Sequence, residues 1–539
     1  MAIGYALHDD QLGMRLAQNI LHGRWLGDYN VLTLLKEPFY PLFLAANFVL
    51  GLPLLFTQQV LYVFACILMI YALRPLITSK LFLIMLYVVL LFNPMSYDGY
   101  IACRLYRVAI YPSLVLLSFA CLFGFYARRN EALSKLFIWA IGLGISFSAF
   151  WHNREEGIWL VPSLVLMVAV TGIQVFREKP EEWKQRIVCC ALPFFIFGFV
   201  NTTIKTLNLM HYGVFVSSEH KAASFKAAYG ALSRVELTNW GQYLGMPLEA
   251  RERIYTASPA FDELRPLLEG PLRGWTIHGR EYMKAIAPEE CETAYPFAWW
   301  EHVFREAVQL AGYCGNGTEA MSYYSRVAHE INKACDEGRL DCLPKRDGFV
   351  PPLRKEYFWP FLHHLKKAVF IVVGFQGFSG SQPRASTGSN GQLTLFRDIS
   401  RESLSPLEHA RPSALRHQAH LNGQKIKVLN RIGSAYQVLV PYIVALAVCC
   451  YLMSLATILK RKSIDFLVFF NSLLFAELLA LISMVAFLGT SIWPTMTNAL
   501  YLSPCFAITL LFACLSVYHF ATLWNPRPRH KSTNHAPGC

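Results

Sequence analysis

Charge is scarce in this sequence. Only 16% of its 539 residues are Asp, Glu, Lys or Arg, against roughly a quarter in soluble globular domains. Hydrophobic residues make up 54% and aromatic residues 14%, so too little polar side chain is present to cover a soluble particle of this size. Nucleotide-binding signatures are missing too. There is no Walker loop, no dinucleotide fingerprint, no zincin helix and no Gly-rich nucleotide loop, which argues against sugar nucleotides as ligands. Strand signals are sparse in the long segment 206–435, and no repeat of 20 to 50 residues is visible, which removes solenoids and propellers.

Apolar runs of about membrane-crossing length stand at Leu54 to Leu73, Leu81 to Phe92, Ala109 to Tyr126, Leu136 to Phe150, Ile158 to Val175, Ile187 to Ile204, Tyr436 to Leu459, Phe466 to Leu488 and Tyr501 to Leu523. That gives about nine crossings, the runs near Leu81 and Leu136 being the shortest, and predicts an all-α polytopic membrane protein. The formal net charge of +13 does not point to nucleic acid, because of where it lies. Arg74 and Lys80; Arg128, Arg129 and Lys135; Arg177, Lys179, Lys184 and Arg186; Lys460, Arg461 and Lys462; and Arg527, Arg529 and Lys531 occupy alternate loops and the tail. The positive-inside rule places these in the cytoplasm. The other loops then face outward: the first (8–53), Asn93 to Arg107, Trp151 to Gly157, the long segment 206–435 and Thr490 to Ala499.

The predicted organisation is an N-terminal membrane block (1–205), a mainly helical extracytoplasmic domain (206–435), C-terminal crossings (436–524) and a basic cytoplasmic tail (525–539). Within the outward domain, Trp299, Trp300, Phe304 and Ala307 have helical spacing. Ala368 to Phe375 is too short to span and reads as an interfacial or packing helix, and Gly377 to Asn390 reads as a flexible loop. Met1 to Leu7 is too short for a crossing or a signal peptide, so a first helix ahead of it is the preferred expectation. The alternative is that Leu54 to Leu73 inserts with its N-terminus outside.

Of 14 cysteines, Cys66, Cys121, Cys189, Cys190, Cys449, Cys450, Cys505 and Cys514 sit in apolar runs, where Cys acts as a small hydrophobe. Cys291, Cys314, Cys335 and Cys342 fall in the outward domain, where an even number reads as disulfides. Cys335 with Cys342 is the favoured bridge because it closes a short loop. Four free thiols is the alternative, and the spacings match no common zinc site.

Asp9 and Asp10 head an amphipathic stretch running through Leu12, Leu16, Ile20 and Leu21. Gly23-Arg24-Trp25-Leu26-Gly27-Asp28-Tyr29-Asn30 follows, and then Leu34-Leu35-Lys36-Glu37-Pro38-Phe39-Tyr40-Pro41. This order resembles the first extracytoplasmic loop of GT-C class integral-membrane glycosyltransferases, in the superfamily of bacterial mannosyltransferases and aminoarabinose transferases. The resemblance covers the N-terminal block, reaches the last three helices by topology only, and leaves the outward domain out. It implies a polyprenyl-phosphate-linked sugar as donor, a cell-envelope glycan, lipid or protein as acceptor, a membrane lipid environment and a bacterial inner-membrane location with the large domain outside. It implies no nucleic-acid partner. Some members use a divalent cation and many do not, and here His8, Asp9, Asp10, His152 and Glu155 are the candidate ligands.

The acidic pair of the family maps onto Asp9 and Asp10, eight residues before the small residue Ala17, and makes Asp9 the catalytic base. Capping of a short helix is the structural alternative. Lys36, Arg104, Arg107 and Arg154 are the candidate donor-phosphate ligands, with lipid-interface anchoring as their plain alternative. Arg104 and Arg107, three apart, are expected on one face of an interfacial helix. Glu37 stands where similar sequences carry Gly, with a carboxylate able to offset Lys36. Asp98 takes the part of a second acid, because Val108 occupies the position where the family carries one. Trp151-His152-Asn153-Arg154-Glu155-Glu156-Gly157 resembles the family's Arg-Glu-Gly turn and supplies His152, Glu155 and Glu156 as supporting groups, or else a structural ion-pair network. Near the last crossing, Asn498 and Tyr501 stand without the usual arginine partner, which argues against activity. A transporter would show internal symmetry and broken helices, which are not visible here. A non-catalytic scaffold for envelope polymer is the third reading.

Overall fold

The computed structural model describes residues 1–524 apart from 180, 238–239, 279, 285–289, 379, 381–383, 408–419, 421–422 and 462–464. The basic tail therefore lies outside the described residues, as do Lys462 and part of the expected Gly377–Asn390 loop. The protein is all-α. Its single two-stranded sheet among the described residues pairs Leu244–Met246 with Tyr295–Pro296 antiparallel. Eight helices among the described residues are long and apolar enough to cross a membrane.

The membrane part begins with α1 (His8–Leu21), which buries Leu12, Met14, Leu16 and Ala17 and leaves Arg15 exposed, as its 3.6-residue apolar spacing requires. After the loop 22–38, Pro38 sets the entry to α2 (Phe39–Val49). Crossing helices α3 (Leu54–Leu73), α5 (Tyr111–Ala127), α6 (Leu133–Trp151), α7 (Val161–Glu178) and α8 (Trp183–Tyr212) follow. The expected crossing near Leu81 is different. It forms α4 (Lys80–Leu91), whose 12 residues reach about 18 Å, short of a hydrocarbon core of about 30 Å. The neighbouring short run forms a full 19-residue helix, α6. Helix α5 is buried along nearly its whole length and is the centre of the bundle. The crossings Gly423–Arg461, Phe466–Ser491 and Ser503–Trp524 complete it.

Helix α8 is 30 residues, about 45 Å, and so projects beyond the hydrocarbon before ending at Tyr212. Gly213 then takes the left-handed conformation that closes the helix, with φ +76° and a Cβ position only 2.4 Å from the Thr318 hydroxyl. The first loop leans on this projecting turn. Trp25 Nε1 donates to Asn208 Oδ1 at 2.8 Å, and the Tyr212 hydroxyl donates to the Gly27 carbonyl at 2.9 Å.

The segment 206–435 divides its packing between two cores. Helices Ala223–Arg234, Phe297–Leu310 and Gly317–Asp336 share a separate core built on Phe225, Tyr229, Phe261, Trp300, Phe304 and Tyr324. A disulfide joins Cys335 to Cys342 across the turn at Gly338, with the Cα atoms 5.7 Å apart. Further on, the apolar stretch around Ala368 lies in helix Phe358–Val373, which buries Ala368 and Val372 in the large hydrophobic core, where the Phe375 ring lies tilted 5.0 Å from Phe506. Helix Asn390–Ser400, opened by a Ser389–Gln392 capping box, packs on α1 and α2. Met1 to Leu7 is neither helix nor crossing: Ala2, Ile3 and Tyr5 make parallel bridges with Leu404, Arg104 and Thr387. The described part of the expected flexible loop is thus held through Thr387.

Candidate functional site

Helix α1 starts at His8, which adopts the left-handed conformation at φ +50°, and Leu7 precedes it without a side-chain cap. Neither Asp9 nor Asp10 is therefore the cap. Both sit in the first turn, where the helix dipole favours a negative charge. Successive helical residues point about 100° apart, and the two carboxylates diverge. Asp10 is 0% exposed, and Asp9 keeps 27% of its side chain accessible.

Asp10 is gripped by Arg104, Nε to Oδ2 at 2.7 Å and NH2 to Oδ1 at 2.6 Å. The same guanidinium donates to the Tyr100 hydroxyl at 2.8 Å and lies against the rings of Tyr5, Tyr100 and Tyr106. Burial pushes the Asp10 carboxyl up to about 7 against the pull of Arg104; burial lowers Arg104 in turn, but Asp10 outweighs it and raises Arg104.

Asp9 faces Lys36 Nζ at 3.3 Å and Arg107 NH2 at 3.6 Å, and accepts a long hydrogen bond from the Tyr106 hydroxyl at 3.4 Å. Burial raises its pKa, but Lys36 and Arg107 outweigh burial and hold it at about 2. Lys36 is raised by Asp9 in spite of its own burial. Arg107 also donates to both oxygens of Glu155 at 2.8 Å, so it spans two carboxylates. Burial would raise Glu155, but Arg107 and Lys36 hold it well below the usual carboxylate range.

The expectation that Arg104 and Arg107 share one helical face is not met. Arg104 is in extended backbone paired with Ile3, and Arg107 opens the short 3-10 turn Arg107–Ala109 ahead of α5. Arg104, held by its isolated bridge to Ile3, and Arg107 thus turn to different carboxylates. Asp98 is 1% exposed and accepts from the amides of Tyr100 and Ile101 at 2.9 and 3.1 Å, closing its own turn.

Glu37 does not offset Lys36. It turns the other way into a buried cluster, where it meets His152 Nδ1 at 2.7 Å, Lys221 Nζ at 2.7 Å and the hydroxyls of Ser217 and Ser218 at 2.8 and 3.1 Å. Burial raises its pKa, but His152 and Lys221 bring it below the ordinary value. Its backbone amide donates to Glu155 Oε1 at 3.1 Å, tying the first loop to the 151–157 turn. That turn also holds Arg154, which pairs closely with Glu156 and lies over the rings of Tyr111 at 5.2 Å and Tyr501 at 5.5 Å. An arginine thus stands beside Tyr501 after all, carried by a different loop.

Four groups were missed by sequence reading: Tyr106, Ser217, Ser218 and Lys221. The dense polar run 217–221 directly after α8 was the one available signal. Of the candidate cation ligands, Asp10 is taken by Arg104 and His152 by Glu37, and no group of three or more His, Cys, Asp or Glu among the described residues is placed to hold a metal ion.

The centre of the site is therefore an accessible carboxylate with two cations beside it, set between α1, the head of α5 and the 151–157 turn. It can take a proton at Asp9 and neutralise an anion at Lys36 and Arg107. No protein-family description, no curated protein and no solved structure matches the chain.

Proposed function

We propose that this protein is a membrane glycosyltransferase of the GT-C kind, moving a sugar from a polyprenyl-phosphate donor to a cell-envelope acceptor on the extracytoplasmic face of a bacterial inner membrane. The observation that carries this reading is the placement of Lys36 and Arg107 within 3.6 Å of the accessible Asp9 carboxylate. Glycosyl transfer with inversion needs a base on one face of the sugar and a counter-charge for the phosphate that leaves from the other. The acceptor oxygen bonds to the anomeric carbon and its proton passes to Asp9, while the bond from that carbon to the phosphate oxygen breaks and the electron pair leaves on the phosphate. Lys36 and Arg107 stabilise that departing charge.

A low pKa makes Asp9 a weak base at rest. A donor phosphate would draw Lys36 and Arg107 towards itself, and Asp9 would then bind a proton more readily. Arg154 over Tyr501 gives a further cation on the same side and supplies the arginine that the region around Asn498 lacks. Asp10 with Arg104, and Glu37 with Lys221 and His152, brace this arrangement from behind.

The test is transfer of radiolabelled sugar from polyprenyl-phosphate donors into envelope lipid, glycan or protein by the purified full chain in lipid bilayers. Turnover that is lost in Asp9→Asn supports the reading. Absence of turnover with every donor, in a folded protein, would make the non-catalytic scaffold the better account.

A further inference from the structure

Helix Phe297–Leu310 has two faces. Trp300, Phe304, Ala307 and Val308 point into the soluble core, whereas Trp299, His302 and Glu306, at i, i+3 and i+7, line the opposite side and are only partly buried. That outer face meets the head of α1. The Trp299 ring lies 6.1 Å from His8, 6.0 Å from His302 and 5.9 Å from Trp275. Trp275 is fixed in turn, its Nε1 donating to Glu306 at 3.1 Å. Asp9 follows His8 directly, and its charge and that of Lys36 reach His302.

Two indoles inclined at 43° thus lie together, with the imidazoles of His8, His278 and His302 around them, near the head of the helix that carries Asp9. Packing does not require this: Trp300, the next residue, already fills the core position of that turn. An aromatic face carries partial negative charge and attracts polarised C–H groups, and imidazole nitrogens exchange hydrogen bonds with hydroxyls. An occupant must therefore offer a C–H face flat enough for an indole and a rim of hydroxyls. An alkyl chain has the first without the second; a pyranose has both.

We propose that Trp275 and Trp299, edged by His8 and His302, form a subsite for a pyranose ring of a carbohydrate acceptor next to Asp9. This rests on the transferase reading and narrows its acceptor from glycan, lipid or protein to a sugar-bearing molecule.

Binding separates the two. Full-length protein in lipid nanodiscs is titrated on an array of immobilised oligosaccharides ending in hexose, pentose or amino-hexose. The wild type binds at least one of them. Trp299→Ala weakens that binding by roughly tenfold or more, and Trp299→Phe, which keeps an aromatic face, weakens it less. Trp275→Leu serves as the second variant should Trp299→Ala not fold. No saccharide binding by the wild type, or equal binding by the folded tryptophan variants, overturns the subsite. Saccharide binding that depends on Trp299 without turnover from any polyprenyl donor leaves the subsite standing and overturns the transferase.

Discussion

Arg104 reaches across 94 positions to hold both oxygens of Asp10, at 2.7 and 2.6 Å, while Asp9 next door is left to Lys36 and Arg107. Two adjacent carboxylates of one motif are thereby divided into a buried anchor and a partly accessible, cation-paired group. The division decides what each substitution should do.

Well above pH 7, where the Asp10 carboxyl is ionised, Asp10→Asn leaves a buried guanidinium without its counter-charge. Breaking such a pair from one side costs about 3–5 kcal/mol, so thermal unfolding in detergent should shift to clearly lower temperature. Replacing both partners, Asp10→Leu with Arg104→Met, should recover much of the loss, because two desolvated charges are removed together. A single variant as stable as the wild type would show that the pair is not an anchor.

Asp9→Asn should keep the fold, since this carboxylate is partly exposed, and should lower transfer by about a hundred- to ten-thousandfold, the usual contribution of a positioned base. Initial rates at saturating donor, with expression and melting temperature measured alongside, check this. A folded Asp9→Asn protein with full rate would falsify the base assignment.

Arg154→Ala removes the cation over Tyr501 and strands Glu156. Contacts made to a donor phosphate in both ground and transition states act on binding, so KM for the polyprenyl-phosphate sugar should rise more than kcat falls. A drop confined to kcat would place Arg154 at the reacting centre instead.

His302 supplies a pH dependence. Burial pulls its imidazole from 6.5 down to about 4, against the opposing pull of Glu301, with Lys36, Arg305 and Asp9 also facing it. A base lowered on folding is bound by fewer protons in the folded chain than in the unfolded one. Its contribution is therefore full above about 6.5 and is lost as pH falls towards 4. Melting temperatures from pH 7 to pH 4.5 should fall less steeply in His302→Gln than in the wild type; parallel curves would remove His302 from the balance.

The proposed topology sets the 206–435 segment outside the cytoplasm, in an oxidising compartment that would preserve the Cys335–Cys342 disulfide. A reporter inserted after Gly338 should be active only if it works in the exported compartment. Cytoplasmic activity there would invert the topology, and with it the side on which Asp9 acts.

Helix content was legible in the sequence because hydrophobic runs and 3.6-residue spacing are local quantities. The long crossings, α1 and the helix bearing Trp300 and Phe304 follow from them. The run at Leu81 did not, since its composition suits a crossing while its helix stops at Leu91, giving way to the turn that Asn93 caps at Pro94. The short disulfide was legible from spacing. The acidic pair, Lys36 and the 151–157 turn were identified as polar groups bordering apolar runs, where unsatisfied charge is costly and partners must exist.

Which partners they take was not written locally. Glu37 could not be assigned to Lys221 rather than Lys36, nor Arg154 to the neighbourhood of Tyr501, because those pairs are closed by segments far apart in the chain. The sequence by itself determined that this is an all-α, multi-pass chain with its scarce charges gathered in a few loops, because hydrophobicity and period act residue by residue. Only the tertiary structure decided which of two adjacent aspartates is buried and which cations stand at the other, because electrostatic pairing depends on distances of a few ångströms that packing sets after the helices have formed.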